Sequence, residues 1–215
     1  MDIPFFKKYS LDKGLALFKK ESRVVGIDLG SANLKIVQLR KEKESAVLET
    51  YGEIACGPYA GNEVGKSVRL LDKKAVEMLS DLRREANAQA KRAAVSIPLR
   101  ASFVKIISMP LMPEKELAEA MTYESRKYIP VPASDVLIDW WPLPSGVTPE
   151  AQSVEGFVKE RKFQEVLLVA IHRETLQKYQ NIIKEAGLTA EFFEIEIFSQ
   201  IRALLGREIQ PALLV

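Results

Sequence analysis

Val24-Val25-Gly26-Ile27-Asp28-Leu29-Gly30-Ser31-Ala32-Asn33-Leu34-Lys35-Ile36-Val37 is the stretch on which the fold turns. Val24–Asp28 reads as an apolar strand ending in an acid, Leu29–Asn33 as a tight turn of small residues. Leu34–Arg40 then alternates through Leu34, Ile36, Val37 and Leu39 as a second strand. Backbone N–H groups at a hairpin apex of small residues can point at phosphate oxygens with no side chain in the way. Gly30 and Asn33 belong to that apex, Ser31 adds a hydroxyl donor, and Lys35 adds a positive charge. Asp28 cannot touch a phosphate itself and would act through Mg²⁺ and its waters. A hairpin whose small residues serve only the turn would carry the same letters.

Outward from the hairpin, Ser45–Ile54 forms a third strand, and the short spacers predict an antiparallel meander, because parallel strands need long crossovers. Residues 55–71, with Gly57, Pro58, Gly61 and Gly65, read as a loop. Asp72 is the expected N-cap of a helix with apolar positions Val76, Leu79, Leu82, Ala86 and Ala90, followed by a buried strand, Ala93–Ile97. A strand-helix-strand-strand segment comes next. It comprises Ser102–Ile107, a helix that opens at Pro110 and Pro113 and runs to about Tyr128 before Pro130 and Pro132, Val136–Leu143, and Glu165–Ile171. Pro144–Gln164 is a polar open loop within it. Glu174–Ala186 is a helix with Gly187 at C′, Thr189–Ile195 a short strand, and Glu196–Leu205 a helix ended by Gly206. Pro211–Val215 begins another apolar strand, so the chain reads as cut at the start of a second half.

The expected divisions are an amphipathic basic segment at 1–22, a main subdomain at 23–98 and 173–210, an inserted subdomain at 99–172, and the first strand of a missing half at 211–215. In the first segment Phe5, Phe6, Leu11, Leu15, Leu17 and Phe18 alternate with lysines, a pattern that allows contact with a membrane or a partner.

Composition excludes several classes. Over 215 residues, 31 Lys+Arg against 29 Asp+Glu leave +2, too near balance for a protein built to neutralise nucleic acid. One cysteine, Cys56, cannot close an internal disulfide, and one histidine, His172, argues against structural zinc or a His-dependent nucleophile. With no signal-peptide pattern and no membrane-length apolar run, a cytoplasmic location is expected.

Other motifs are weaker. Ala60-Gly61-Asn62-Glu63-Val64-Gly65-Lys66-Ser67 nearly matches a P-loop but has Ala60 where glycine is required, and it lacks the strand and helix that should flank it. His172 reads as a satisfied structural residue, Cys56 as a packing residue, and Glu194 and Glu196 as solvated acids at a strand-to-helix junction. Glu124 is more pointed. It lies on the stripe Leu117, Ala120, Met121, Glu124, Tyr128, a charge on an apolar face that can mark a partner groove.

Gly26-Ile-Asp-Leu-Gly-Ser-Ala-Asn-Leu-Lys35 resembles the first phosphate loop of the actin-like ATPase superfamily. The order β-β-β-α-β, then α-β-α after an insertion, is that of the first half of its ribonuclease-H-like fold, α/β (α+β by some schemes). The inserted strand-helix-strand-strand subdomain resembles that of FtsA and of the PilM family of type IV pilus assembly proteins. Met109-Pro-Leu-Met-Pro-Glu-Lys-Glu-Leu117, Tyr123-Glu124 leading to Tyr128-Ile-Pro-Val-Pro132, Asp139, Val166-Leu-Leu-Val-Ala170 and Ala186-Gly-Leu188 favour the PilM family.

That resemblance implies a cytoplasmic protein, peripheral at the inner membrane, that binds ATP and Mg²⁺ and recruits the cytoplasmic N-terminal peptide of a PilN-like membrane protein. Phosphate-loop roles fall on Asp28, Gly30, Ser31, Asn33 and Lys35; the resemblance does not assign the peptide groove, and partner contact is expected at Glu124 and Tyr128 from the charge on their apolar stripe. Self-association is a further habit of the superfamily, and peripheral membrane contact is what the amphipathic basic segment at 1–22 allows. No catalytic residue is assigned; a slow ATPase is the most the whole protein would be. The second phosphate loop, expected directly after Ala212-Leu-Leu-Val215, is absent, so weak or no ATP binding is expected of this 215-residue form. An FtsA-like cell-division membrane tether is the alternative.

Overall fold

The computed structural model describes residues 23–43, 45–143 and 163–204. The amphipathic segment 1–22, most of the polar loop after Leu143, the glycine stop at Gly206 and the strand at 211–215 lie outside the described residues. The chain divides at Ala101/Ser102 and Arg173/Glu174 into two compact units.

The first unit contains β1 (Arg23–Leu29), β2 (Asn33–Glu42), β3 (Ser45–Ala55), α1 (Asp72–Glu85) and β4 (Arg92–Ile97). Between its β3 and α1 lies a short 3-10 turn, Gly57–Ala60. Numbered along the whole chain, its remaining elements are α3 (Arg173–Glu185), β8 (Thr189–Ile195) and α4 (Glu196–Leu204). Its sheet has the order β3-β2-β1-β4-β8. The first three strands form the predicted antiparallel meander, and β4 and β8 join parallel. A parallel step needs a crossover, which α1 supplies before β4 and α3 before β8. Val25, Ile27, Leu34, Ile36, Val95 and Phe193 are buried in this sheet, and Met78, Leu79 and Leu82 of α1 and Ile182 and Ile183 of α3 in its helices.

The second unit holds β5 (Ser102–Pro110), α2 (Glu114–Tyr128), β6 (Val136–Pro142) and β7 (Phe163–His172) in an antiparallel sheet of order β5-β7-β6. The central strand β7 is buried from Val166 to Ile171, which explains its unbroken apolar run. Leu117 and Met121 of α2 share one core with Ile107, Val136 and Leu168.

Some local expectations change. Asp72 is not the N-cap: Leu71 holds that position without a side-chain cap, and Asp72 sits in the first turn. There its carboxylate favours the helix N-terminus and pairs with Lys178 at 2.7 Å. The helix ends at Glu85, and Asn87 adopts φ 51°, so Ala90 is buried beyond the helix rather than on it. His172, read as a satisfied structural residue, is exposed at the end of β7, where it faces Val136 of β6.

Candidate functional site

Strand register brings together residues far apart in sequence. Lys35 on β2 faces Asp28 on β1, and Asp28 faces Ser96 on β4. On the outer strands Lys35 faces Glu53 of β3, and Ser96 faces Glu194 of β8. Register partners share a face of the sheet. Glu53, Lys35, Asp28, Ser96 and Glu194 therefore form one polar row across all five strands, beside the β1–β2 turn. Asn33, two residues from Lys35 and on its face, donates from Nδ2 to Glu53 Oε1 at 2.6 Å.

Asp28 is the strained member of the row. Its Oδ1 is buried and has no hydrogen-bond partner among the described residues. Burial pushes its carboxyl above the ordinary range and the Glu196 carboxylate adds to this, while Lys35 and a hydrogen bond from Ser96 pull the other way. A buried carboxylate oxygen without a donor is costly, and a hydrated divalent cation is a ligand that would relieve it.

The turn between the strands is fixed by contact. A Cβ on Gly30 would lie 2.5 Å from the Asn33 carbonyl oxygen, so no larger residue fits without moving the hairpin. The carbonyls of Ser31 and Ala32 accept from the N–H groups of Val68 (2.9 Å) and Cys56 (2.7 Å). The N–H groups of Ser31 and Ala32 meet no protein acceptor among the described residues. Two free main-chain donors, a hydroxyl and a lysine around an apex without bulk suit a phosphate, and the adjacent Asp28 suits a water-linked Mg²⁺. Gly30→Ala should cost roughly 2 kcal/mol by forcing the turn open and should remove any phosphate affinity. A melt with a parallel titration checks both.

A cavity of about 100 Å³ opens against Gly30, with Arg69, Arg100, Lys178 and Tyr179 among its lining residues. Lys178 is already paired with Asp72. Burial raises the Tyr179 phenol, which Arg100 counters and Glu196 and Asp28 reinforce.

Two acids depart from the solvated reading. Glu194 is 2% exposed. It is held by both terminal nitrogens of Arg202 and by Ser199 Oγ at 2.6 Å. Glu196, the first residue of α4, accepts the Leu99 N–H at 2.7 Å. Sequence reasoning passed over Ser96 and Glu53 entirely; only strand register reveals them.

In the second unit Glu124 is not an isolated charge. Lys127 lies 2.6 Å from its Oε1 at helical spacing, leaving its side chain 27% exposed. Tyr128 packs on the unit's core, with Lys105 Nζ 4.3 Å from its ring centroid.

A meander of three strands continued by two parallel ones, with a three-stranded insertion before α3, defines an actin-like, ribonuclease-H-like α/β protein. A family model described as type IV pilus assembly protein PilM matches residues 26–210. The chain belongs to that family. Among solved structures, one described as the PilM–PilN type IV pilus biogenesis complex is similar at 23% identity and a TM-score of 0.62, covering 84% of this chain and 49% of that one. The cytoplasmic domain of EpsL, an inner-membrane component of the type II secretion system of Vibrio cholerae, is 14% identical with a TM-score of 0.49, covering 83% and 59%. A protein of actin-like ATPase fold and unknown function from Bacteroides thetaiotaomicron is 13% identical with a TM-score of 0.32, covering 81% and 52%. The first bears on the fold; the other two superpose too loosely to add to it. The chain spans about half the length of the first.

Proposed function

We propose that this chain acts in type IV pilus assembly as an actin-like scaffold that docks the cytoplasmic N-terminal peptide of a PilN-like inner-membrane protein. The observation that carries the reading is the family match over residues 26–210, and the similarity to a structure described as a PilM–PilN complex supports the choice of partner. Among the described residues no helix is long and apolar enough to cross a membrane.

Within the whole protein, the β1–β2 hairpin binds the phosphates of Mg–ATP. Bound ATP would supply a charged phosphate chain for these groups to hold. The Ser31 and Ala32 N–H groups and the Ser31 hydroxyl donate to phosphate oxygens, and Lys35 balances their charge. Gly30 keeps the apex clear, Asn33 is held in place by Glu53, and Asp28 would hold Mg²⁺ through its waters. The free N–H groups and the unpartnered Asp28 oxygen support this assignment.

Glu124 and Tyr128 contact the partner peptide. Both are half-buried on α2, Glu124 paired with Lys127 and Tyr128 packed against the unit's core beside Lys105. The test is a titration of the full-length protein with a synthetic peptide of the PilN-like N-terminus. Glu124→Ala should weaken binding about tenfold or more, the loss of one charge-assisted hydrogen bond, with no change in the melting temperature beyond that of Lys127→Ala. Affinity within about twofold of wild type would remove Glu124 from the groove. A wild-type protein that ignores the peptide would overturn the docking itself.

A further inference from the structure

The segment between β3 and α1 contains the near-match to a P-loop, and the phosphate reading leaves that segment without a task. Its conformation is tightly specified. A Cβ on Gly57 would fall 2.0 Å from the Glu63 carbonyl oxygen. The Asn62 N–H closes the turn on the Gly57 carbonyl at 2.8 Å, and the Gly61 N–H reaches that of Pro58 at 3.2 Å. The Tyr59 hydroxyl donates to Asp81 Oδ2 on α1 at 2.8 Å. Burial and that carboxylate push the phenol up to about 12, so it stays a donor across the working range of pH.

From this rigid base two residues reach the hairpin apex. Cys56 donates its N–H to the Ala32 carbonyl at 2.7 Å, and its thiol sits 3.6 Å from the Gly30 carbonyl. Val68 donates its N–H to the Ser31 carbonyl at 2.9 Å. Three successive carbonyls, those of Gly30, Ser31 and Ala32, are thus taken up by one segment. No peptide bond of the described chain is cis. In a trans peptide the N–H points opposite to the C=O of the same plane. The N–H groups of Ser31, Ala32 and Asn33 are therefore turned away from the segment that holds the carbonyls, and those of Ser31 and Ala32 meet no acceptor among the described residues.

We infer that Cys56–Val68 is a positioning strap: by holding three successive carbonyls of the phosphate loop, it aims the opposing N–H groups at the anion before any anion arrives. The inference rests on the phosphate-binding reading of the hairpin. Without the strap each peptide plane could rotate and present its carbonyl, a repulsive dipole, to a phosphate. Cys56 and Val68 are positioning residues; neither touches the ligand. The glycines of the P-loop look-alike serve the strap's own turns.

The experiment uses the full-length protein with Mg–ATP and, as a nucleotide-free probe, tripolyphosphate, read by titration and by the amide resonances of Ser31 and Ala32. Val68→Pro deletes the N–H that holds the Ser31 carbonyl; Val68→Ala keeps it. Cys56→Ala deletes the thiol donor; Cys56→Ser keeps one. Val68→Pro should weaken both ligands about fivefold relative to Val68→Ala, the effect of one hydrogen bond. Cys56→Ala should weaken them about twofold, with recovery in Cys56→Ser. In the wild type the Ser31 and Ala32 amides should shift as either ligand is added. Wild-type binding that Val68→Pro and Cys56→Ala leave unchanged overturns the strap while the nucleotide reading stands. A wild type that binds neither ligand overturns both. Should Val68→Pro fail to fold, the Cys56 pair and the wild-type amide shifts decide, and binding that leaves those two amides unmoved overturns the strap.

Discussion

Asp28→Asn is expected to separate binding from stability, lowering Mg–ATP affinity of the full-length protein by about 10- to 100-fold while leaving the fold as stable as before or more so. The loss of affinity follows from the carboxylate's place in the row. It sits between Lys35 and Ser96 with one oxygen buried and unpartnered, and an outer-shell carboxylate lost from a metal site costs an affinity factor of about that size. The stability effect has the opposite sign, because burial and Glu196 disfavour the ionised form in the folded protein. An acid whose folded pKa is raised binds its proton more tightly when folded than when unfolded. Its favourable contribution is complete below the pKa of the unfolded carboxyl, about 3.9, and is lost as pH rises through the folded value. At neutral pH the ionised carboxylate is therefore a net cost that asparagine does not carry. The variant should melt no lower than wild type and up to about 2–4 °C higher, the shift given by roughly 1 kcal/mol in a domain of this size. The difference should shrink as the medium is made acidic. A variant that binds Mg–ATP like wild type would remove Asp28 from the site. One that melts well below wild type would mean the carboxylate is a structural acceptor instead.

The hairpin was legible because its signals are local. Alternation through Leu34, Ile36 and Leu39, an acid at a strand end and a run of small residues all act within a dozen positions. The strand-helix-strand-strand insertion was legible for the same reason: prolines bracket α2, and β7, paired on both sides, is apolar without interruption from Val166 to Ile171. What escaped depends on register. Nothing in the letters around Ser96 or Glu53 sets them in line with Asp28; that follows from β4 joining β1 in parallel and β3 joining β2 antiparallel. Glu194 reads as a solvated acid because a lone carboxylate before a helix usually is one. Its burial depends on Arg202, eight residues on, reaching back from α4. The Asp72 cap failed for a subtler reason. An acid favours the first turn of a helix as well as its cap, and in the first turn Asp72 also pairs with Lys178, far along the chain.

The pairing of Glu194 with Arg202 yields the largest expected loss of stability. Glu194 ends the polar row on β8, almost wholly buried, with Ser199 and both terminal nitrogens of Arg202 as its partners. Two charges taken out of water gain little net stability from each other, but removing one leaves the other buried and uncompensated. Arg202→Ala should accordingly destabilise the protein by roughly 3 kcal/mol, the low end of the range for a broken buried pair, since the arginine is itself 32% exposed and water can enter beside it. In a domain of this size that is a fall of about 6–12 °C in melting temperature. Ser199→Ala, which removes one donor and leaves the guanidinium, should cost about 1 kcal/mol. The decisive arm is the double variant Glu194→Gln with Arg202→Ala. With no charge left to strand, it should be more stable than Arg202→Ala alone, even though it has lost more of the native contact. If Arg202→Ala melts within a degree or two of wild type, the ion pair is not what seats α4 on β8. Its attachment would then rest on Phe198, the buried apolar residue of that helix, and Phe198→Ala would be the variant that releases it.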